Sequence, residues 1–360
     1  MTVAALNGLN VLSADCEGAY LNAKPREKLW TELGSEFGEL KGRYAIIVRA
    51  LYGAKSSAVS WRSAISAVIE SLGFKMCRAD NDVWLRPATK ADGLQVYEYV
   101  LVYSDDLLCV AIKPEEVMAR IDQVYKFKED PAEPSQYLGA NVGTLDMPQG
   151  FRAWYMGADE YCKNAVQNAE TWLKKKHEKS HNSFHGLPTK TACTFPSKWK
   201  PELDVTPELK PEDVSYYQQQ VGVLRWCVEL GRIDINTEVS MLAAYSACPR
   251  QGHLAAVMHL YAYLKGNPKS KTVFDPTPME HGPHADHDWR DMYNDYVEAE
   301  PHDMPPPRGN PMQMTAYSDS DHASDVQSRR SRTGVLIFCG RAPILWYSKK
   351  QGSIETSSFG

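Results

Sequence analysis

Residues 100–110 read Val-Leu-Val-Tyr-Ser-Asp-Asp-Leu-Leu-Cys-Val, which sets two adjacent carboxylates, Asp105 and Asp106, between two apolar runs. Short apolar runs bounded by polar residues read as buried strands, and a polar pair between them reads as the tight turn of a hairpin. Two anions side by side at the tip of a buried hairpin are costly without a positive partner. A divalent cation meets that cost, and hard oxygen ligands select Mg²⁺ or Mn²⁺. A plain hydrophilic turn is the other reading of the same pair. A second segment, 10–23, places Asp15 at the end of a short apolar strand, with Tyr20 close behind it. Three carboxylates around two hard cations are the minimum for two-metal phosphoryl transfer.

The surrounding pattern predicts an α+β chain. Strands are expected at 10–15, 82–86, 95–103 and 107–112, with a helix over 56–72 that Gly73 ends. Pro114 opens another helix, since its fixed φ suits a first turn, and Glu115, Glu116, Val117 and Ile121 fit that helix. Residues 136–160 read as further short strands. From 211 to 265 apolar residues recur every three or four positions: Val221, Leu224 and Val228, then Leu254, Val257, Met258, Tyr261 and Leu264. These are helical core stripes rather than a cofactor box. Segments 314–318, 334–339 and 344–348 read as strands.

Net charge taken alone argues against a nucleic-acid enzyme, because the chain carries −5 and such an enzyme should present a basic groove. The excess is local. Residues 280–303 contain eight acids against Arg290 alone, so this segment is −7 and the remainder +2. The segment also holds His281, His284, His287 and His302, and Pro305 to Pro307 follow. We read 275–312 as a solvated linker, with the histidine spacing as a weaker metal-site reading. Lys174-Lys175-Lys176-His177-Glu178-Lys179 forms a basic patch that fits either nucleic-acid phosphates or a solvated helix face. The eight cysteines form no C-x-x-C pair, so neither a zinc knuckle nor a disulfide framework is indicated. No apolar run approaches the ~18 residues of a membrane span, and the N-terminus lacks a signal-peptide pattern.

Taken together, the blocks resemble the reverse transcriptase of copia-type retrotransposons. Asp15-Cys16-Glu17-Gly18-Ala19-Tyr20-Leu21-Asn22 is similar to the family's first block. Ala50-Leu51-Tyr52-Gly53-Ala54-Lys55, with Trp61 downstream, is similar to its second, and Tyr103-Ser104-Asp105-Asp106 to its polymerase box. Tyr137-Leu138-Gly139 resembles the primer-contacting turn. Tyr217 to Trp226, Gly231 to Ile235, and Pro249 and His253 with Tyr263-Leu264-Lys265-Gly266 resemble the connecting region in order. Tyr317-Ser318-Asp319-Ser320-Asp321-His322 and Trp346 to Gln351 resemble the start of a ribonuclease H domain.

The resemblance implies roles. Asp15, Asp105 and Asp106 would hold two Mg²⁺ (or Mn²⁺) ions, with the Cys16 carbonyl as a further ligand. Tyr20 would sit under the sugar of the incoming nucleotide and exclude a 2′-hydroxyl, the group that separates RNA from DNA. Tyr103 would pack near the primer end, and Gly53 would let backbone approach the nucleotide or template. Two positions depart from the family pattern. Ser104 replaces a small apolar residue, with little effect expected, and Lys55-Ser56-Ser57-Ala58 replaces Lys-Gln-x-Pro, which alters a template contact.

The expected domains are a polymerase palm-like sheet over 1–140 with most of the fingers missing, and a thumb and connecting region over 141–274, largely helical after 211. The linker over 275–312 and an incomplete ribonuclease H-like β unit over 313–360 complete the set. Asp319 stands in the first acidic position of that last unit, Asp321 and Asp325 read as loop residues, and ribonuclease H activity is not expected. The implied partners are an RNA template, a DNA primer and deoxynucleoside triphosphates, with self-association or other polyprotein parts and no membrane. The implied location is a cytoplasmic virus-like particle or the nucleus, not secretion. An inactive retroelement remnant that at most binds nucleic acid is the alternative.

Overall fold

The computed structural model describes residues 1–179, 183–280, 290–296, 299 and 301–354, without the side chains of 179, 291 and 293. It is a mixed α+β structure, divided into two compact units. One comprises 3–134 with 281–311, and the other 1–2, 135–280 and 312–360.

The first unit contains α1 (Thr2–Asn7), β1 (Asn10–Asp15), β2 (Leu29–Glu32), β3 (Tyr44–Ile47), α2 (Ser57–Ser71), β4 (Lys75–Met76), β5 (Val83–Thr89), β6 (Gln95–Tyr103), β7 (Asp106–Ala111) and α3 (Pro114–Asp122). Its main sheet is antiparallel, in the order β1-β7-β6-β5-β4. Along β6 the alternation is strict: Val96, Glu98, Val100 and Val102 are buried and their neighbours are not. That period of two is the signature of a half-buried strand. In β7 every residue after Asp106 is buried, as expected of an inner strand covered on both faces.

Trp61, Ile65 and Ile69 recur every four residues along α2 and share one core with Phe74, Trp84, Val100, Leu107 and Cys109. Val117, Met118 and Ile121 of α3 join it. Gly73, at φ +85°, ends the α2 segment as expected, and Pro114 begins α3. The one acid in this wall, Glu98, is 5% exposed. It pairs with Arg86 at 2.8 Å and accepts the Ile112 amide at 2.9 Å. Burial of a carboxylate is tolerable only when it is satisfied in this way.

The ribbon β2–β3 went unnamed in the sequence reading. It carries Trp30 opposite Ile46, and both are exposed. Residues 301–307 of the acidic stretch are exposed as a solvated linker would be, yet the stretch is tied down. Arg78 pairs with Asp303, Tyr97 donates to the Pro306 carbonyl, and Arg308 donates to Gln95. His281, His284 and His287 lie outside the described residues.

The second unit holds a four-stranded antiparallel sheet of β8 (Gln136–Tyr137), β9 (Ala140–Asp146), β10 (Arg152–Gly157) and β11 (Thr272–Phe274). Four helices accompany it: α4 (Asp159–Lys179), α5 (Pro211–Glu229), α6 (Asn236–Ala243) and α7 (Gln251–Gly266). The long α4 was not anticipated as an element. Its buried face is Cys162, Ala165, Val166 and Ala169, small residues that give a faint apolar stripe. The stripes expected on α5 and α7 form the centre of this core. His253 is buried and structural: Nδ1 accepts the Arg250 amide and Nε2 lies 2.9 Å from the Pro201 carbonyl. The short α8 (Arg290–Tyr293) belongs to the first unit. A three-stranded sheet of β12 (Met314–Ser320), β13 (Arg332–Cys339) and β14 (Ala342–Lys350) closes the chain. It packs on the helices through Trp346, whose indole donates to the Val228 carbonyl, while Tyr317, Ile344 and Tyr347 stay exposed.

Candidate active site

The hairpin expected from the sequence is formed, with Tyr103 paired to Asp106 and Ser104-Asp105 as its two-residue turn. Register then does what sequence spacing could not. Antiparallel pairing of β1 with β7 sets Asp15 directly opposite Asp106. The Cys16 amide donates to the Asp105 carbonyl at 2.9 Å, so all three acids cluster at one end of the sheet.

Their electrostatics are those of crowded anions. Burial, then repulsion from Asp105 and Asp15, pushes the Asp106 carboxyl above its usual range. The neighbouring Cys16 thiol is pushed up to about 12, first by burial and then by the same carboxylates, so it stays protonated. One side-chain oxygen, Asp15 Oδ1, is buried without a hydrogen-bond partner.

One residue that sequence reasoning missed sits among them. The segment 126–128 runs antiparallel along the open edge of β1, bridging Phe127 to Cys16, and the Lys128 amide donates to the Asp15 carbonyl. This brings Lys128 Nζ to 2.6 Å from Asp15 Oδ2 and 3.8 Å from Asp105 Oδ2. The hydrogen bond to Asp15 holds the ammonium above its ordinary pKa. Lys126-Phe127-Lys128 gives no motif from which this could be read. Among the described residues, no three His, Cys, Asp or Glu side chains converge as a ready metal cage. The donor set still suits a hard divalent cation in kind: three carboxylates, one with an orphaned buried oxygen, and no soft ligand in use.

Tyr20 lies on a short 3₁₀ turn, Ala19–Asn22, beside this cluster. Its hydroxyl shares a 3.1 Å hydrogen bond with Ser104 Oγ, and its ring lies 4.5 Å from that of Tyr52. The buried Trp61 donates its indole N–H to the Ser104 carbonyl at 2.6 Å. Ser104 itself has φ +58°, so the turn is pinned from two sides. The hydroxyl that Ser104 brings to this turn is the group that meets Tyr20. Tyr20, Trp61, Val102, Tyr103 and Ser104 line an open groove of ≈ 530 Å³ whose far wall includes the Arg62–Asp82 ion pair. Tyr103 is exposed at its rim. Gly53, at φ +91°, has open space where a Cβ would stand.

The remaining residues singled out from the sequence lie in the second unit. Tyr137-Leu138-Gly139 forms the β8–β9 turn, with Leu138 and Gly139 both at positive φ. Asp319, on β12, accepts the Ser320 amide. Asp321 accepts the Ser324 and Arg332 amides, and Asp325 pairs with Lys350 at 3.0 Å, so both are loop anchors as expected. In the basic patch, Lys176 stacks over Trp172 and pairs with Asp213.

No family model matches the chain. Relatives do. A transposon Ty5-1 protein of Saccharomyces cerevisiae is 25% identical over 342 residues, covering 93% of this chain and 92% of that protein. The Retrovirus-related Pol polyprotein from transposon RE1 of Arabidopsis thaliana is 23% identical over 313 residues, and its counterpart from transposon TNT 1-94 of Nicotiana tabacum is 21% identical over 364. The chain is thus related to retrotransposon Pol polyproteins. It spans most of the Ty5-1 protein but only 17% and 24% of the two plant polyproteins.

Proposed function

We propose that the chain is the polymerase portion of a copia-type retrotransposon Pol polyprotein, an RNA-directed DNA polymerase. The observation that carries this reading is the register that sets Asp15 opposite Asp106 with Asp105 in the adjoining turn. In this reading the 3′-hydroxyl of a primer attacks the α-phosphate of a deoxynucleoside triphosphate, and pyrophosphate leaves. Asp15, Asp105 and Asp106 would hold Mg²⁺, which lowers the pKa of the attacking hydroxyl and offsets charge on the leaving group. Tyr20, held at its hydroxyl by Ser104, would sit under the sugar of the incoming nucleotide and exclude a 2′-hydroxyl. Tyr103, on the groove rim, orients the primer end. The Leu138–Gly139 turn, where both residues adopt positive φ, serves as a primer-contacting surface. The three-stranded sheet around Asp319 corresponds to a ribonuclease H-like element.

A second reading is an inactive retroelement remnant that at most binds nucleic acid. It is favoured by the lysine paired to Asp15 and by the lack of a converged carboxylate cage among the described residues. Primer extension on an RNA template with Mg²⁺ or Mn²⁺ separates the two. Extension that disappears in Asp106→Asn supports the polymerase. No extension from a folded protein supports the remnant.

A further inference from the structure

Lys128 is engaged in a way that the polymerase reading does not use. Its Nζ stands between Asp15 Oδ2 and Asp105 Oδ2, at 2.6 and 3.8 Å. That is where a cation bridging two carboxylates would be held. Asp15's other oxygen, Oδ1, is buried without a partner, so the oxygen engaged by Lys128 is the one in use. The backbone of Lys128 is fixed by the hydrogen bond its amide donates to the Asp15 carbonyl and by the Cys16–Phe127 bridge. The side chain is not fixed in the same way, because it is 48% exposed and its stem is a flexible four-carbon chain. The ammonium can therefore leave the carboxylates without disturbing the strand.

We propose that Lys128 is a tethered place-holding cation: it occupies the Asp15–Asp105 position in the metal-free protein and must swing out before a divalent ion binds there. In the metal-free state it offsets the mutual repulsion of three acids and so keeps the β1–β7 end closed. On metal entry it is displaced toward solvent. Metal affinity is consequently set by competition, and Lys128 acts as a positioning residue through Asp15. The inference rests on the metal-binding reading above.

The test is Mn²⁺ binding to the whole chain, followed by electron paramagnetic resonance without nucleic acid. Removing a competitor worth about 1 kcal/mol tightens binding about fivefold, so Lys128→Met should bind Mn²⁺ about fivefold more tightly than wild type, and Lys128→Arg close to it. Unchanged or weaker binding in Lys128→Met, with wild type binding, overturns the place-holder and leaves the metal reading standing. No binding by any of the proteins overturns both. A measurement on the unmodified chain covers a variant that fails to fold. Labelling of Lys128 by an amine-reactive reagent, read by peptide mass, should rise several-fold at saturating Mg²⁺, and an unchanged level overturns the displacement.

Discussion

Two groups of acids occupy the ends of two sheets, and their surroundings differ in kind. At the β1–β7 end, Asp15, Asp105 and Asp106 are gathered by strand register with Lys128 paired to Asp15 and Asp105, and Asp106 is held above its ordinary range by burial and repulsion. At the end of β12 and in the loop that follows, each acid already has a structural occupation. Asp319 and Asp321 accept backbone amides, and Asp325 accepts the Ser328 amide and pairs with Lys350. Against the opposing effect of burial, those bonds lower Asp325 to about 2. Repelled carboxylates are the ones poised to take a cation, while satisfied carboxylates hold loops. The count of acids is the same in both places, so count alone does not locate chemistry.

The largest expected effect tests that contrast directly. Asp106→Asn should lower primer extension on the order of 10³-fold or more, while Asp325→Asn should leave it within about twofold. The same Asp106 variant should melt higher than wild type at pH 7 without divalent ions. A carboxyl whose pKa is raised on folding destabilises the folded state once it ionises, and asparagine removes that charge. A lower melting temperature would mean that the three acids do not repel.

Glu98 calibrates the other extreme, a buried acid that is fully satisfied. Glu98→Ala takes the carboxylate from Arg86, which keeps its bond to the Leu72 carbonyl, and leaves the Ile112 amide without its acceptor, and should cost about 2–3 kcal/mol in urea unfolding. Asp325→Asn should cost about 1 kcal/mol at neutral pH. Because the folded pKa of Asp325 is depressed to about 2, its contribution is present above the unfolded value of about 4. It is lost as pH falls toward 2, so wild type and variant should converge there. The smallest effect is Tyr20→Phe, which removes the bond to Ser104 and should cost at most about 1 kcal/mol. If that variant also admits ribonucleotides, the Ser104 anchor, rather than ring bulk alone, fixes the gate.

Much of the first unit was legible in the sequence because its elements obey a period. The β6 alternation, the apolar run of β7, the four-residue recurrence in α2, and the punctuation by Gly73 and Pro114 are local signals with local causes. The α4 helix escaped notice because alanine and cysteine contribute a weak apolar stripe. The β2–β3 ribbon escaped because Trp30, Tyr44 and Ile46 point outward instead of marking a core. Ser104 was legible as a departure but not as an anchor, since its partners Tyr20 and Trp61 are 84 and 43 residues away.

The sequence by itself determined that two adjacent carboxylates sit at the tip of a hairpin and that a third ends a strand, because burial of flanking apolar residues leaves few other places for them; it set both in the turn, whereas pairing with Tyr103 makes Asp106 the first residue of β7. Only the tertiary structure decided that these three meet, since one residue of slip between β1 and β7 would turn Asp15 to the other face. It alone decided that Lys128 shares their space, because a bridge across the sheet edge, rather than any pattern in the chain, carries that ammonium to Asp15.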